Sequence, residues 1–99
     1  MVIAEVSVVP LGTKTSSVSQ YVARAIKVLE REKGIKYETT AMGTIIEGDL
    51  DRVLAVVRKM HGGTFGEGVV RVLTTVKIDD RRDKVQGMEP KLDSLKKKL

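Results

Sequence analysis

The sequence predicts one α+β domain in which four strands form an antiparallel sheet and two helices cover one face of that sheet. Three observations lead to this prediction. Apolar residues recur at every second position in some segments and at helical spacing in others. These segments follow the order strand, helix, strand, strand, helix, strand, and 99 residues suit a single domain, 1–99. With right-handed crossovers the order gives the ferredoxin-like βαββαβ arrangement.

The first and last strands show the clearest alternation. We expect the first strand within residues 1–11, where one side is aliphatic and the other is mixed. The last strand, predicted over residues 69–80, alternates in the same way. Its predicted core face carries Val70, Val72, Thr74, Val76 and Ile78.

Two segments have the apolar spacing of amphipathic helices. The first covers residues 17–33, with Ser17 and Gln20 at capping-box spacing. Its predicted stripe includes Val18, Val22, Ala25 and Leu29. The second begins at the predicted cap Asp49 and ends near His61. Its predicted stripe consists of Leu50, Val53, Leu54, Val57 and Met60.

Residues 35–48 predict a β-hairpin that turns near Met42 and Gly43, because glycine adopts the positive φ that short hairpins favour. In this register Thr44 faces the helices. The face that the two helices leave uncovered then carries a mixed set: Ile3, Glu5, Ser7, Val9, Thr40, Ile45, Glu47, Leu73, Thr75 and Lys77. Such a face predicts burial by a second subunit, a ligand, or both.

Glu5, Glu38 and Glu47 all point to that face in the predicted register. Burial of these carboxylates would require a positive partner. Two alternatives remain open, since Lys77 could supply the charge within the chain, or a cationic ligand could bring it.

Composition excludes several kinds of site. The chain has no cysteine and one histidine, which excludes disulfides and the usual zinc ligand sets.

No apolar run approaches the roughly 20 residues that span a bilayer, so we expect a cytoplasmic protein. The net charge is +5, but residues 90–99 carry +3 of it, and the body is nearly neutral.

The remaining motifs favour structural interpretations. The glycine-rich segment 62–68 lacks the Gly-Lys-Ser/Thr of a phosphate loop and precedes a strand. His61 suits the negative end of its helix, and no nucleophile is spaced beside it. Three acids near the end of the last strand alternate with basic residues, which predicts ion pairs instead of a cation site: Asp79, Asp80 and Asp83. We therefore expect no metal, no cofactor and no catalytic residue.

Residues from about 90 to 99 predict a short basic helix, docked on the body or on a partner, with Leu92, Leu95 and Leu99 on one side. Weak nucleic-acid binding through Lys96, Lys97 and Lys98 is one alternative function. Recognition of RNA bases by the sheet is disfavoured because none of the three aromatic residues falls on the uncovered face.

Four blocks of sequence, AEVSVVPLG at 4–12, SQYVARAI at 19–26, MGTIIEG at 42–48 and VLTTVKIDDRRDK at 72–84, resemble the thiamine-binding protein family. The resemblance implies a ferredoxin-like domain that forms homo-oligomers, commonly tetramers built from dimers that pair sheet to sheet. It also implies binding of thiamine or its hydroxymethylpyrimidine moiety, without an established enzymatic activity.

Thiamine joins a cationic thiazolium ring to an aminopyrimidine, and a pocket for it needs a carboxylate, hydroxyl groups and apolar walls. With this ligand, Glu47 is the expected partner of the aminopyrimidine or the cation. The expected orienting groups and walls are Ser7, Thr40, Thr44, Thr75, Met42 and Leu73. The alternative is a structural or regulatory homo-oligomer without a small ligand.

Overall fold

The computed structural model describes residues 1–12, 19–66, 68–83 and 88–99, without the side chains of residues 19 and 88–90. Its elements are β1 (Val2–Pro10), α1 (Ser19–Glu30), β2 (Lys36–Thr40), β3 (Gly43–Gly48), α2 (Leu50–Thr64), β4 (Val72–Asp80) and α3 (Met88–Lys98). This order confirms the predicted α+β class. Among the described residues no helix is long and apolar enough to cross a membrane.

The four strands form one antiparallel sheet in the order β2-β3-β1-β4. As the predicted ferredoxin-like arrangement requires, β1 and β3 lie in the centre and β4 borders β1. The register pairs Ile3 with both Glu47 and Asp79, and pairs Glu5 with Ile45 and Lys77. Odd-numbered residues of β1 therefore share one face with odd-numbered residues of β3 and β4.

The core lies between the even-numbered face of the sheet and the helices α1 and α2. Its fully buried members come from all of these elements: Val2, Ala4, Val6, Ala25, Leu29, Ile46, Val53, Val56 and Met60. The core face predicted for β1 is confirmed. Burial of these side chains is the main source of stability, at about 1.5–3 kcal/mol for each large aliphatic residue.

The start of β4 differs from the prediction. The strand begins at Val72, and Val70 is 87% exposed instead of facing the core. The Val69 amide donates a hydrogen bond to the Gly66 carbonyl, 2.9 Å away, which closes a turn and buries the Val69 side chain. A turn replaces the alternation here, so the apolar residue that enters the core is Val69.

The end of α2 also differs, because the helix continues to Thr64 and not only to His61. The Thr64 hydroxyl donates to the Met60 carbonyl at 2.8 Å, and the Thr64 side chain is buried. The Phe65 amide then donates to the Gly62 carbonyl. These bonds hold two glycines in the last helical turn.

The buried stripe of α2 is rotated relative to the predicted one. Val53, Val56, Val57 and Met60 are buried at the spacing i, i+3, i+4 and i+7, whereas Leu54 is 45% exposed. Asp49 occupies the N-cap position, but its side chain makes no capping hydrogen bond. Its backbone carbonyl accepts the first helical bond, from the Val53 amide.

Helix α1 ends at Glu30, three residues before the predicted end. Hydrogen bonds from the amides of Arg31 and Glu32 to carbonyls three residues earlier tighten the final turn, and the chain leaves it through Gly34 at φ 80°. Val22 is exposed, unlike Ala25 and Leu29 of the same stripe. The predicted cap Ser17 and Val18 lie outside the described residues.

Candidate ligand-binding site

The hairpin between β2 and β3 has the two-residue loop Ala41–Met42, close to the predicted turn. The Thr40 hydroxyl accepts hydrogen bonds from the Met42 and Gly43 amides, both at 3.2 Å, and donates to the Gly43 carbonyl at 2.8 Å. These bonds use the donor and both acceptor positions of the hydroxyl. Thr40 therefore fixes the shape of the loop.

Gly43 follows the loop with φ 158°. A Cβ atom at this position would lie 2.8 Å from the Val6 carbonyl oxygen, closer than a side chain tolerates. Glycine is thus required here because β3 approaches the β1 backbone. This approach places the hairpin loop at the edge of α1.

A cavity of about 180 Å³, here called the hairpin cavity, lies between the second half of β1, α1 and the hairpin loop. Hydroxyl-bearing residues line it together with aliphatic and thioether side chains. Its main lining residues are Ser7, Thr39, Thr40, Thr44, Val22, Ile26, Met42 and Met60. Among the described residues, none that lines it is charged.

Thr44 is the polar residue of greatest interest in this cavity. It faces the helices and is only 6% exposed, and its hydroxyl forms no hydrogen bond with another described residue. The second buried threonine, Thr64, bonds the Met60 carbonyl. Buried polar groups in proteins are nearly always hydrogen-bonded. The Thr44 hydroxyl is therefore available to a molecule in the hairpin cavity.

The site residues predicted from the sequence separate into two groups. Four of them border the hairpin cavity: Ser7, Thr40, Met42 and Thr44. Of these, Thr44 faces the helices, whereas Ser7 is paired with Thr75, so its side chain lies on the same side of the sheet as Thr75. Glu47, Leu73 and Thr75 instead lie on the other side of the sheet, where Glu47 is opposite Ile3 and Lys36, Leu73 is opposite Val9, and Thr75 is opposite Ser7. The structure thus does not bring Glu47 to Thr44.

Four of the lining residues named above were absent from the predicted site. Thr39 shares the helix-facing side of the hairpin with Thr44, a relation already contained in the predicted register. Val22 and Ile26 come from the margin of the α1 stripe, and Met60 comes from α2. Their convergence depends on how the helices cross the sheet, which periodicity does not specify.

The face opposite α1 and α2, here called the second face, is partly covered. Helix α3 lies over it and encloses a groove of about 550 Å³, here called the α3 groove. The sheet contributes Ile3, Glu5, Glu38, Ile45, Lys77 and Asp79, and α3 contributes Lys91, Leu92, Ser94, Leu95 and Lys98. An ion pair joins Lys91 to Asp79. We expected a second subunit or a ligand to bury this face, but α3 of the same chain covers the half that contains Ile3 and Ile45.

The acids at the end of β4 are ion-paired, as predicted. Arg81 binds Asp83 through two hydrogen bonds of 2.6 and 3.1 Å, and Arg82 binds Asp80 at 2.9 Å. The hydrogen bond from Arg82 lowers the pKa of Asp80 below its ordinary value. Among the described residues no cluster of three His, Asp or Glu side chains is suited to a metal ion.

His61 connects α2 to β4. Its Nδ1 atom lies 2.6 Å from the Thr74 hydroxyl oxygen, and its ring meets the Phe65 ring edge-on at a centroid distance of 5.4 Å. The histidine is half-buried. This contact holds the end of α2 against the edge strand β4, a structural role that the sequence pattern did not reveal.

Comparison with known proteins gives the same fold and identifies the family. The protein YqgV of Bacillus subtilis, a member of the group named UPF0045, is 47% identical across 100% of this chain and 98% of its own length. A crystal structure of the hypothetical protein MJ1052 from Methanocaldococcus jannaschii matches with a TM-score of 0.87 and 45% identity, over 96% of this chain and 95% of that one.

A Thermotoga maritima crystal structure, TM0486, matches with a TM-score of 0.77 over 95% of this chain and 97% of that one. Its identity of 21% supports the fold alone. The sequence profile of the family described as thiamine-binding protein matches residues 4–96. This chain belongs to the thiamine-binding protein family.

Proposed function

We propose that the protein is a non-enzymatic binding protein for thiamine or its hydroxymethylpyrimidine moiety, with the pyrimidine ring in the hairpin cavity. The observation that carries this proposal is the buried Thr44 hydroxyl, which lacks a hydrogen-bond partner among the described residues and lines an otherwise largely apolar cavity. An aminopyrimidine offers ring nitrogens and an amino group at its edge, which match such a hydroxyl. The family and the Thermotoga maritima structure, which is provisionally named for thiamine biosynthesis or salvage, support this choice of ligand.

The dimensions of the cavity favour one ring over the whole vitamin. A volume of about 180 Å³ is below the range of roughly 300–1,000 Å³ typical of pockets for drug-sized ligands. Met42 and Met60 supply thioethers, which make favourable contacts with flat aromatic rings. The cavity offers no carboxylate to a thiazolium cation, so we place that ring outside the cavity when thiamine binds.

We further propose that two copies pair through the second face. The half of that face outside the α3 groove exposes Val9 and Leu73, which are neighbours across β1 and β4, and Leu73 is 57% exposed. Ser7 and Thr75 form the adjacent row. An apolar patch bordered by polar residues is typical of an interaction surface. In this proposal Glu47, Leu73 and Thr75 belong to the pairing surface and not to the pyrimidine site.

Isothermal titration calorimetry with thiamine and with hydroxymethylpyrimidine tests the ligand proposal. We expect saturable binding near one ligand per chain, and a loss of about 2–10-fold in affinity for Thr44→Val, the range for removal of one hydrogen bond. Thr75→Val is the matched control, because it makes the same change on the second face. Its affinity should equal that of the wild type.

The same titration with Glu47→Gln locates the ligand. Weaker binding by Glu47→Gln and Thr75→Val, with Thr44→Val unchanged, would place the ligand on the second face, as the sequence first suggested. Absence of heat with either compound, in a folded wild-type sample of verified oligomeric mass, would contradict the ligand proposal. That result would favour the structural homo-oligomer.

A further inference from the structure

The loop of the β2–β3 hairpin carries a large apolar side chain that is left in solvent. Met42 lines the hairpin cavity, yet it is 83% exposed. The other thioether that lines the cavity belongs to Met60, which is 2% exposed and is part of the hydrophobic core. One wall of the hairpin cavity is therefore open to reagents in solvent, and the opposite wall is not.

The backbone of Met42 is held in place, while its side chain has freedom to move. The Met42 and Gly43 amides both donate to the Thr40 hydroxyl, and Gly43 lies so close to the Val6 carbonyl that a Cβ there would be 2.8 Å away. The Met42 side chain is unbranched and has three rotatable bonds. It can turn over the mouth of the cavity without any change in the loop. A ring bound in the cavity would gain a thioether contact and would shield the sulfur from solvent.

An exposed thioether reacts with hydrogen peroxide, which transfers one oxygen atom to the sulfur. The sulfur lone pair bonds to one peroxide oxygen and the O–O bond breaks. The other oxygen takes the proton of the transferred hydroxyl group and leaves as water, so methionine is oxidised to the sulfoxide and the peroxide is reduced. The product replaces an apolar group with a polar one. Met60 is protected from the same reagent by its burial.

We propose that Met42 is an oxidation site that regulates the hairpin cavity: its thioether closes over a bound pyrimidine, and its sulfoxide weakens binding. The inference rests on the proposed function. A thioether makes favourable contacts with a flat ring, whereas the oxygen of a sulfoxide is hydrated and keeps the side chain in solvent. The neighbouring Thr40 hydroxyl cannot compensate, because it already donates its proton to the Gly43 carbonyl.

Peptide mass spectrometry after treatment with hydrogen peroxide measures the accessibility of each sulfur. Trypsin places each methionine in a separate peptide: residues 1–14, 37–52, 60–71 and 85–91. We expect Met42 to oxidise about ten-fold faster than Met60, because oxidation follows exposure. Saturating hydroxymethylpyrimidine should slow the oxidation of Met42 by about three-fold or more, since the ring covers the sulfur. Met1 is 55% exposed and does not line the cavity, so its rate should be unchanged.

Isothermal titration calorimetry then compares untreated and oxidised protein. Oxidised wild type should bind hydroxymethylpyrimidine about 2–10-fold more weakly, the range for loss of one sulfur–aromatic contact. Met42→Leu is the matched control, because leucine has a similar volume and no sulfur. The same peroxide treatment should leave its affinity unchanged, although Met1 is oxidised in both proteins. A methionine sulfoxide reductase, with dithiothreitol as reductant, should restore the affinity of oxidised wild type.

The untreated wild type separates failure of the regulation from failure of the function. If it binds neither hydroxymethylpyrimidine nor thiamine, the proposed function is wrong and the regulation is wrong with it. If it binds, and protein with fully oxidised Met42 binds equally well, only the oxidation proposal is overturned. An equal loss of affinity in peroxide-treated Met42→Leu would also overturn it, because another methionine would then be responsible. Oxidation of Met60 as fast as that of Met42 would have the same consequence.

Discussion

The two faces of this sheet are built from alternate residues of the same strands, yet they have different properties. Val6 and Ile46, on the face covered by α1 and α2, are at most 1% exposed. On the second face Leu73 is 57% exposed, and α3 covers Ile3 and Ile45 only loosely. A shift of one position along a strand thus separates residues that stabilise the fold from residues available for recognition.

The adjacent pair Ile46 and Ile45 tests this difference most directly. Ile46→Ala removes a fully buried side chain and should lower the free energy of unfolding by about 2–5 kcal/mol. Ile45→Ala makes the same change on the second face and should cost less than about 1.5 kcal/mol, because less apolar surface is lost from contact. Urea unfolding followed by circular dichroism measures both values. Equal losses would mean that the second face is packed as closely as the first.

The hairpin cavity depends on the close approach of β3 to β1, which Gly43→Ala should disturb. The new Cβ would lie 2.8 Å from the Val6 carbonyl oxygen, so the hairpin must shift, at about 1–3 kcal/mol. Gly62→Ala is the control, because a Cβ at this helical position meets open space. It should be neutral or stabilise by up to about 1 kcal/mol. Similar melting temperatures for the two variants would contradict the requirement for glycine in the hairpin.

Alternation in the sequence was sufficient to predict β1, the hairpin and the order of the elements, because one buried face imposes a period of two on every strand. It failed where a local hydrogen bond overrides the pattern. The alternation predicts Val70 as a core residue, but the turn closed by the hydrogen bond from the Val69 amide to the Gly66 carbonyl buries Val69 instead. Thr64 and its bond to Met60 similarly extend α2 through two glycines that suggest a loop.

Alternation in the sequence could predict only part of the candidate site. The predicted register already placed Thr44 on the helix-facing side. Because side chains alternate along a strand, Glu47, three positions later in β3, must lie on the opposite face. The cavity itself requires the crossing of α1 over β1, which brings Val22 and Ile26 to the hairpin loop. The docking of α3 depends on a contact between Lys91 and Asp79, and pattern analysis had left either the body or a partner as its docking surface.

A smaller difference in stability should distinguish the two buried threonines Thr44 and Thr64, because only the Thr64 hydroxyl has a hydrogen-bond partner among the described residues. Thr64→Val removes the bond to the Met60 carbonyl and should lower stability by about 0.5–1.5 kcal/mol. Thr44→Val removes a hydroxyl without a partner among the described residues, so unliganded stability should be unchanged or slightly higher. Thermal unfolding in the absence of ligand compares them. A loss for Thr44→Val as large as for Thr64→Val would show that the Thr44 hydroxyl is already bonded.

The last two residues of β4 are acids that form different ion pairs. Asp79, on the second face, pairs with Lys91 of α3, whereas Asp80 pairs with Arg82. The hydrogen bond from Arg82 lowers the pKa of Asp80, so the ionised carboxylate favours the folded state. This contribution is present above the ordinary titration range of a carboxyl group and is lost as the pH falls through the lowered pKa.

Arg82→Gln should therefore raise the pKa of Asp80 toward its ordinary value, measured by carboxyl ¹³C chemical shifts. Arg81→Gln, whose native partner is Asp83, is the control and should leave that pKa close to the wild-type value. A larger effect from Arg81 than from Arg82 would mean that long-range charge, and not the direct hydrogen bond, sets the titration of Asp80.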